Sequence, residues 1–487
     1  MGFGFDASNR MGSPQAIGAT FYNKTINQSL RFNDGDSAYL SRTPTSAGNR
    51  KTFTLSVWIK VNPLATNYPP IFNADTSTPD SVIRLGTTGE VQVVVENGGG
   101  GNALLITNRK LRDPSAWYHL VCAMDTTQND DDKRLRIWIN GEEETSFSSR
   151  TNPDKDDQYD FNNTVIHKVG AQRYASYWDG YMAEMHWIDG TVYGPEYFGE
   201  NKNGVWIPKQ VSDVTYGTNG FHMDFSDSSD LGKNVATGNT FATYATTNLA
   251  STDQVSDSPT NNFSTLNPLK KNTQTQTFAE GNLDFSSTQT STNPAVTSSL
   301  AVDSGKWYWE VYIRADAGSN SIGIAKNPNN LENDSYALYS SADAYQYQTD
   351  GNKRNSSTSS AYGDAWTTGD VLGVGLDLDG GNVYFYKNGA IQNSGTAAFT
   401  GLSGEFTSYS LVYQSGAQVY NFGQDATFNN TITGANGYSI SAGGDFKYQP
   451  PTGYKALKVQ NLPEPTFNPR NESIENSYFY TTLYEGT

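Results

Sequence analysis

Glu184 and Asp189 are the two residues whose types and spacing come closest to acid–base chemistry. Two carboxyl groups that face one cleft about 5–5.5 Å apart can hydrolyse a glycosidic bond with retention. In a regular strand, however, residues separated by an odd number of positions point to opposite faces. The spacing therefore predicts that Glu184, and His186 beside it, are structural or surface residues and not members of a catalytic pair.

Other kinds of chemistry lack the residues they require. The single cysteine, Cys122, lies in an apolar run, which is typical of a buried structural thiol. One cysteine can form neither an intrachain disulfide nor a cysteine-based zinc site. The four histidines are far apart in the sequence, and the glycine run 98–101 is followed by no helical pattern, so it does not resemble a phosphate-binding loop. The sequence thus predicts a protein that is not an enzyme and requires no cofactor.

The charge and composition exclude further classes. The 487-residue chain has 33 Lys and Arg against 50 Asp and Glu, a formal net charge of −17. A surface this acidic repels phosphate backbones, which argues against nucleic acid as a partner. No segment approaches the roughly 18 apolar residues of a membrane helix, and the first residues do not resemble a secretory signal. We therefore expect a soluble protein without nucleic-acid or membrane partners.

Short strands joined by turns run through most of the chain. Residues 53–60 alternate apolar and polar side chains, the period of a strand with one face on a core. Asn140-Gly141 and Asn388-Gly389 each follow such a strand and predict hairpin turns. The pattern predicts an all-β chain with two tandem β-sandwich (jelly-roll) domains. The predicted parts are a docking arm (1–27), a first sandwich (28–225), a linker (226–272), a second sandwich (273–428) and an extended, irregular tail (429–487).

Motifs in each half resemble a known family. In the first half they are SLRFNDGDSAYL (29–40), FTLSVWI (53–59), WYHLV (117–121), LRIWING (135–141) and WDGYMAE (178–184). These resemble the laminin-G-like, concanavalin-type jelly roll, whose relatives include glucanases with an E-x-D-x-x-E strand. The 184–189 segment departs from that pattern at two of three positions. In the second half, GKWYWEV (305–311), GVGLDLD (373–379), VYFYKNG (383–389) and NFG (421–423) resemble a SPRY domain.

The tandem arrangement, with its arm and the GVWIP segment at 204–208, is similar to virion proteins of marine bacteriophages, including those of cyanobacteria. This resemblance implies a tail fibre, a tail-associated adhesin or a capsid-attached fibre at the virion surface. It also implies attachment to host-surface polysaccharide, binding of other virion proteins through the arm or tail, and a homo-oligomer, with a trimer favoured. The alternatives are a capsid-decorating fibre without a receptor role and a virion-associated polysaccharide depolymerase.

Two sets of candidate site residues follow. Laminin-G-like domains often bind calcium through loop carboxylates, so the resemblance implies Asp34, Asp36 and Asp179 as ligands, with oxygen donors that suit this hard ion. The loops within 336–366 carry aromatic residues among polar ones, a combination that can stack and hydrogen-bond a sugar. The predicted glycan-binding residues are Tyr336, Tyr339, Tyr345, Tyr347, Tyr362 and Trp366.

Overall fold

The regular secondary structure of the described residues is almost entirely β-strand. The computed structural model describes residues 21–63, 67–75, 80–97, 102–173, 175–238, 243–289, 293–316, 318–326, 339–413, 415–432, 437–439 and 443–463. Within these ranges the chain forms sheets that are antiparallel except for one short parallel pairing, with short 3₁₀ turns and no α-helix. The predicted all-β class with two sandwiches is confirmed.

The first sandwich consists of two eight-stranded sheets with a shared core. One sheet has the order Glu142–Glu143, Leu135–Ile139, Trp117–Asp125, Thr52–Val61, Gly180–Asp189, Ser29–Phe32 and Gln254–Val255, with Phe221–Met223 also paired to Gly180–Asp189. The other has the order Phe147–Thr151, Asn102–Lys110, Glu90–Glu96, Ser81–Leu85, Pro70–Asp75, Ile166–Val169, Tyr39–Arg42 and Ala245–Thr247. Alternate side chains from both sheets fill the core, which includes Cys122 as an inert buried thiol.

The second sandwich has its own core between two further sheets. The seven-stranded sheet has the order Leu266–Lys271, Ala295–Ser298, Phe406–Leu411, Ser321–Lys326, Ala344–Gln348, Asn352–Asn355 and Thr358–Ala361. The eight-stranded sheet has the order Thr277–Ala279, Asp284–Ser286, Ala417–Asn421, Lys306–Ala315, Val371–Asp377, Asn382–Lys387 and Ala390–Ile391, with Lys455–Ala456 added in parallel to Lys306–Ala315.

The two predicted hairpin turns are present. Asn140 and Gly141 have φ values of 50° and 81°, and Asn388 and Gly389 have φ values of 48° and 82°. Two successive positive φ angles define the turn that matches the twist of the flanking strands, and Asn-Gly adopts it at low cost. The turn residues thus fix the register of these hairpins, and with it the face on which each neighbouring side chain lies.

The segment 226–272, predicted as a linker, contributes strands to both sandwiches. Ala245–Thr247 pairs with Tyr39–Arg42, and Gln254–Val255 pairs with Ser29–Phe32. Farther on, Leu266–Lys271 pairs with Ala295–Ser298 in the second sandwich. The polar composition that indicated a linker also suits edge strands, since one side of an edge strand faces solvent.

The described parts of the predicted arm and tail pack on the sandwiches. In the arm, Phe21 and Ile26 are buried against the first sandwich. In the tail, Phe446 is buried against Tyr308 on the outer face of the second sandwich. Residues 1–20 and 464–487, which include the aromatic residues of 478–480, lie outside the described ranges.

Candidate functional site

Glu184 and His186 lie where the strand Gly180–Asp189 departs from regular geometry. The pairing with Thr52–Val61 shifts register between Ala183 and His186, and Glu184 has a φ of 45°. This is a β-bulge, which the sequence had not predicted. It adds one residue to the outer face, so the Glu184 carboxylate lies beside the His186 ring.

A third side chain, His222, joins this pair from the neighbouring strand. His222 lies directly opposite His186 in the sheet, and the two rings stack with centroids 4.0 Å apart. Glu184 Oε2 is 2.9 Å from His222 Nε2 and 3.7 Å from His186 Nε2, and Lys24 Nζ is 3.3 Å from Glu184 Oε1. Burial acts to raise the pKa of Glu184, but the two imidazoles hold that pKa well below its usual range. Glu184 is therefore a carboxylate at neutral pH.

Asp189 has a different set of partners from Glu184. Its two carboxylate oxygens accept hydrogen bonds from the backbone N–H groups of Asn49, at 2.7 Å, and Asn219, at 2.9 Å. These bonds tie two loops to the end of the strand. The structure thus gives Asp189 a loop-fixing role, and the contacts of Glu184 do not include it.

The three residues predicted to bind calcium have different environments. Asp34 and Asp36 lie in the exposed 3₁₀ turn Asp34–Asp36. Asp179, in contrast, is buried, and its carboxylate accepts hydrogen bonds from Asn62 Nδ2 at 2.6 Å and from Gly281 N at 3.4 Å. Within the described part of the chain these three residues are not among the clusters whose ligand atoms lie close together. Asp179 instead joins the first sandwich to the second.

Asp179 makes the stability of the chain depend on pH. Burial, with added repulsion from Asp34, raises its pKa from 3.8 to about 7. A carboxyl whose folded pKa is raised favours the folded state at low pH, and that contribution is lost as pH rises through the folded value. We expect the thermal midpoint of the wild-type chain to fall as pH rises from about 4 to about 7, and Asp179→Asn to remove part of this dependence, on the order of 4 kcal/mol at most. Thermal melting curves of both proteins across this pH range test this prediction. An equal change of the thermal midpoint with pH in the wild type and in Asp179→Asn would contradict it.

The predicted aromatic binding residues do not form one surface. Tyr347, Tyr362 and Trp366 are buried in the core of the second sandwich, so their rings cannot stack on a sugar. Tyr345 is half-buried at the edge of that core, against Phe399. The alternation along Ala344–Gln348 explains the difference from the prediction, because it turns residues 345 and 347 inward together. Tyr336 lies outside the described residues.

Tyr339 remains as the predicted aromatic residue on the outer face of the seven-stranded sheet. It is half-buried among apolar side chains that include Tyr409 and Leu411, and the Arg354 guanidinium lies 3.9 Å from its ring centroid. Arg354 Nε also donates to the Tyr339 backbone carbonyl at 2.8 Å. The guanidinium therefore covers one face of the Tyr339 ring, and a sugar could contact only the uncovered part of the ring and the guanidinium N–H groups.

A buried ion cluster joins the two sandwiches. Arg31, with a side chain 1% exposed, extends from the first sandwich to Glu280 Oε2 at 3.1 Å and Asp425 Oδ2 at 3.2 Å in the second. Its guanidinium also lies 3.5 Å from Asp253 and donates to Asn429 Oδ1 at 2.6 Å. Planar guanidinium groups suit such sites because their donors are arranged to meet several acceptors at once. The cluster holds the sandwiches in one orientation.

A second buried network reinforces this junction. Lys60 Nζ donates to Asp257 Oδ2, Asn262 Oδ1 and the Phe263 carbonyl, each at 2.8 Å. Nearby, the Tyr181 hydroxyl donates to the carbonyl of Gly281 at 3.1 Å. A Cβ at Gly281, where φ is +62°, would lie 2.4 Å from the Tyr181 ring, so this close approach requires glycine.

Comparison with known proteins identifies the two sandwiches. Residues 33–196 match the family model of the concanavalin A-like lectin/glucanases superfamily, and residues 306–425 match that of the SPRY domain. The chain therefore carries a concanavalin A-like domain and a SPRY domain in tandem. No curated protein matches it. In the described part, no helix is long and apolar enough to cross a membrane.

Three solved structures resemble part of the chain. The SPRY domain of human HERC1 is 19% identical, with a TM-score of 0.27, covering 32% of this chain and 96% of that one. A human SPRY domain is 18% identical, with a TM-score of 0.24, covering 28% and 90%. Stonustoxin is 21% identical, with a TM-score of 0.27, covering 32% and 27%.

Proposed function

We propose that the chain is a non-enzymatic bacteriophage virion protein that presents two lectin-like domains for attachment to host-surface glycans. The observation that carries the proposal is the tandem of a concanavalin A-like and a SPRY domain. Both are rigid sandwiches, and loops on rigid sandwiches are where ligand recognition is commonly placed. The virion setting, as a tail fibre, tail-associated adhesin or capsid-attached fibre, rests on the resemblance of the tandem sequence to phage appendage proteins.

The fixed junction supports a role in attachment. Buried contacts of Arg31 and Lys60 keep the two domains in a constant orientation. On a symmetric particle, many copies with a constant orientation can engage one surface together, so weak individual sites give strong overall binding. The net charge of −17 suits uncharged glycans better than acidic ones.

A glycan array probed with the intact chain tests the binding role. We expect binding to at least one host-surface polysaccharide, and Tyr339→Ala to weaken it roughly fivefold, the effect of losing about 1 kcal/mol of ring stacking. Tyr438→Ala is the matched control, because Tyr438 is an exposed tyrosine on a separate two-stranded ribbon. Absence of binding to every host polysaccharide would count against attachment and favour a purely structural fibre.

Incubation with host capsule tests the absence of catalysis. We expect the size distribution of the polysaccharide to remain unchanged after incubation with the purified protein. A fall in polymer length that disappears in Glu184→Gln would show a depolymerase and overturn the non-enzymatic assignment.

A further inference from the structure

Three metal-ligating side chains converge on the outer face of the first sandwich. One carboxylate oxygen of Glu184 and one ring nitrogen each from His186 and His222 all lie within 4.8 Å of one another. We propose that these residues form a binding site for a divalent transition-metal ion of the zinc class. The site is independent of the glycan-binding proposal and shares no residue with the predicted calcium ligands.

The spacing of the ligand atoms fits a zinc coordination shell. Zinc binds imidazole nitrogen at about 2.0–2.1 Å and carboxylate oxygen at about 2.0–2.2 Å, which places tetrahedral ligand atoms about 3.3 Å apart. The distances from Glu184 Oε2 to His222 Nε2 and His186 Nε2 are 2.9 Å and 3.7 Å, on either side of that value. Imidazole binds a metal in the plane of its ring, and the two rings are stacked at 17° with centroids 4.0 Å apart, so one ring must tilt out of the stack to admit the ion.

The donor set selects the kind of metal. Calcium and magnesium take oxygen ligands almost exclusively, whereas imidazole suits zinc, copper and nickel. Two histidines with one carboxylate thus favour an ion such as zinc over calcium or magnesium. The other cluster of the described residues, Asp130, Asp131 and Asp132, is exposed and carries oxygen donors alone.

Strand pairing and a hydrogen bond restrict the positions of the ligands before any ion binds. His186 and His222 are opposite each other on paired strands, so the backbone fixes their separation. The Tyr216 hydroxyl lies 2.8 Å from His186 Nδ1, which orients the ring and leaves Nε2 toward Glu184. In proteins, a hydrogen bond to the second ring nitrogen commonly fixes the orientation of a metal-ligating histidine. The bulge at Glu184 completes the set by bringing the carboxylate to the same side.

The cluster also has an opening and a competing cation. A pocket beside Glu184 and His186 is lined by Trp58, Phe198 and Lys24, among others. The Lys24 ammonium lies 3.3 Å from Glu184 Oε1, and its side chain is 25% exposed, so it can withdraw toward solvent. Three protein ligands and an open side leave room for a water or other exogenous ligand in the fourth position.

Calorimetric titration of the chelator-treated full chain with Zn²⁺ tests the site. We expect one ion per chain, with binding weakened at least tenfold in His222→Gln. Lys24→Met is expected to tighten binding several-fold, because the ammonium no longer competes for Glu184. Asp131→Asn is the control and should leave the affinity unchanged. The visible spectrum of the Co²⁺-loaded wild type should show a four-coordinate site that His222→Gln lacks.

The two variants with opposite expected effects keep the proposal testable. If His222→Gln fails to fold, the zinc affinity of Lys24→Met still tests the proposal. An affinity equal to or weaker than that of the wild type would overturn it. Wild-type binding no tighter than that of a folded His222→Gln protein would also overturn it. Loss of zinc binding in Asp131→Asn would overturn the proposal as well, because it would show that the ion binds at the exposed cluster of Asp130, Asp131 and Asp132.

Discussion

Substitution of methionine for Arg31 is expected to destabilise the junction between the two domains by about 3–5 kcal/mol. Arg31 is the buried cation facing Glu280, Asp425 and Asp253, and methionine keeps much of the apolar stem while removing the charge. The carboxylates would then repel one another with little water to screen them. In scanning calorimetry, we expect a single coupled transition in the wild type and two separate transitions in the variant.

The control for this experiment is Lys233→Met. Lys233 pairs with Asp227 at 2.8 Å, but their side chains are 51% and 31% exposed, and surface ion pairs contribute at most about 1 kcal/mol. Its melting profile should resemble that of the wild type. An Arg31→Met protein that melts as the control does would contradict the interpretation of the junction as an energetic coupling.

Replacing Glu310 with glutamine is expected to loosen the tail from the second sandwich. Glu310 is buried, and its two carboxylate oxygens accept from the backbone N–H groups of Lys447, at 2.7 Å, and Tyr448, at 2.8 Å. Glutamine keeps the shape but presents an NH₂ group to one of these donors. An unsatisfied buried donor costs about 1–3 kcal/mol.

Hydrogen exchange reports this change directly. The amide protons of Lys447 and Tyr448 should exchange at least tenfold faster in Glu310→Gln, since they depend on that carboxylate. Glu143→Gln, at an exposed strand position, should leave both rates unchanged. Equal protection in Glu310→Gln and the wild type would show that the other contacts of the tail, among them the packing of Phe446 and the pairing of Lys455–Ala456, hold it without this carboxylate.

Much of the fold could be predicted from local patterns. The alternation of residues 53–60 and the Asn-Gly turns specify strands and hairpins through near neighbours alone. The polar strands of 245–255 were missed, because edge strands carry no apolar alternation. The bulge at Glu184 was also missed, since the residue itself gives no local signal for a positive φ.

The candidate sites depended on contacts between distant residues, which local patterns do not show. His222 lies 38 positions from Glu184 and reaches it only through strand pairing. Asp179 was assigned to calcium, but its partners are Asn62 and Gly281, the latter from the second domain. For Arg31, the one available signal was a charged residue between Leu30 and Phe32 in a buried strand, which indicates a buried ion pair.

Cryo-electron microscopy of the source particle tests the central claim most directly, because it locates the chain and shows the relation of its domains. We predict density for both sandwiches, in the single orientation set by the Arg31 and Lys60 contacts, repeated around a symmetric appendage on the tail or capsid. A particle without this density, with the chain recovered only as free protein, would contradict the assignment as a virion attachment protein.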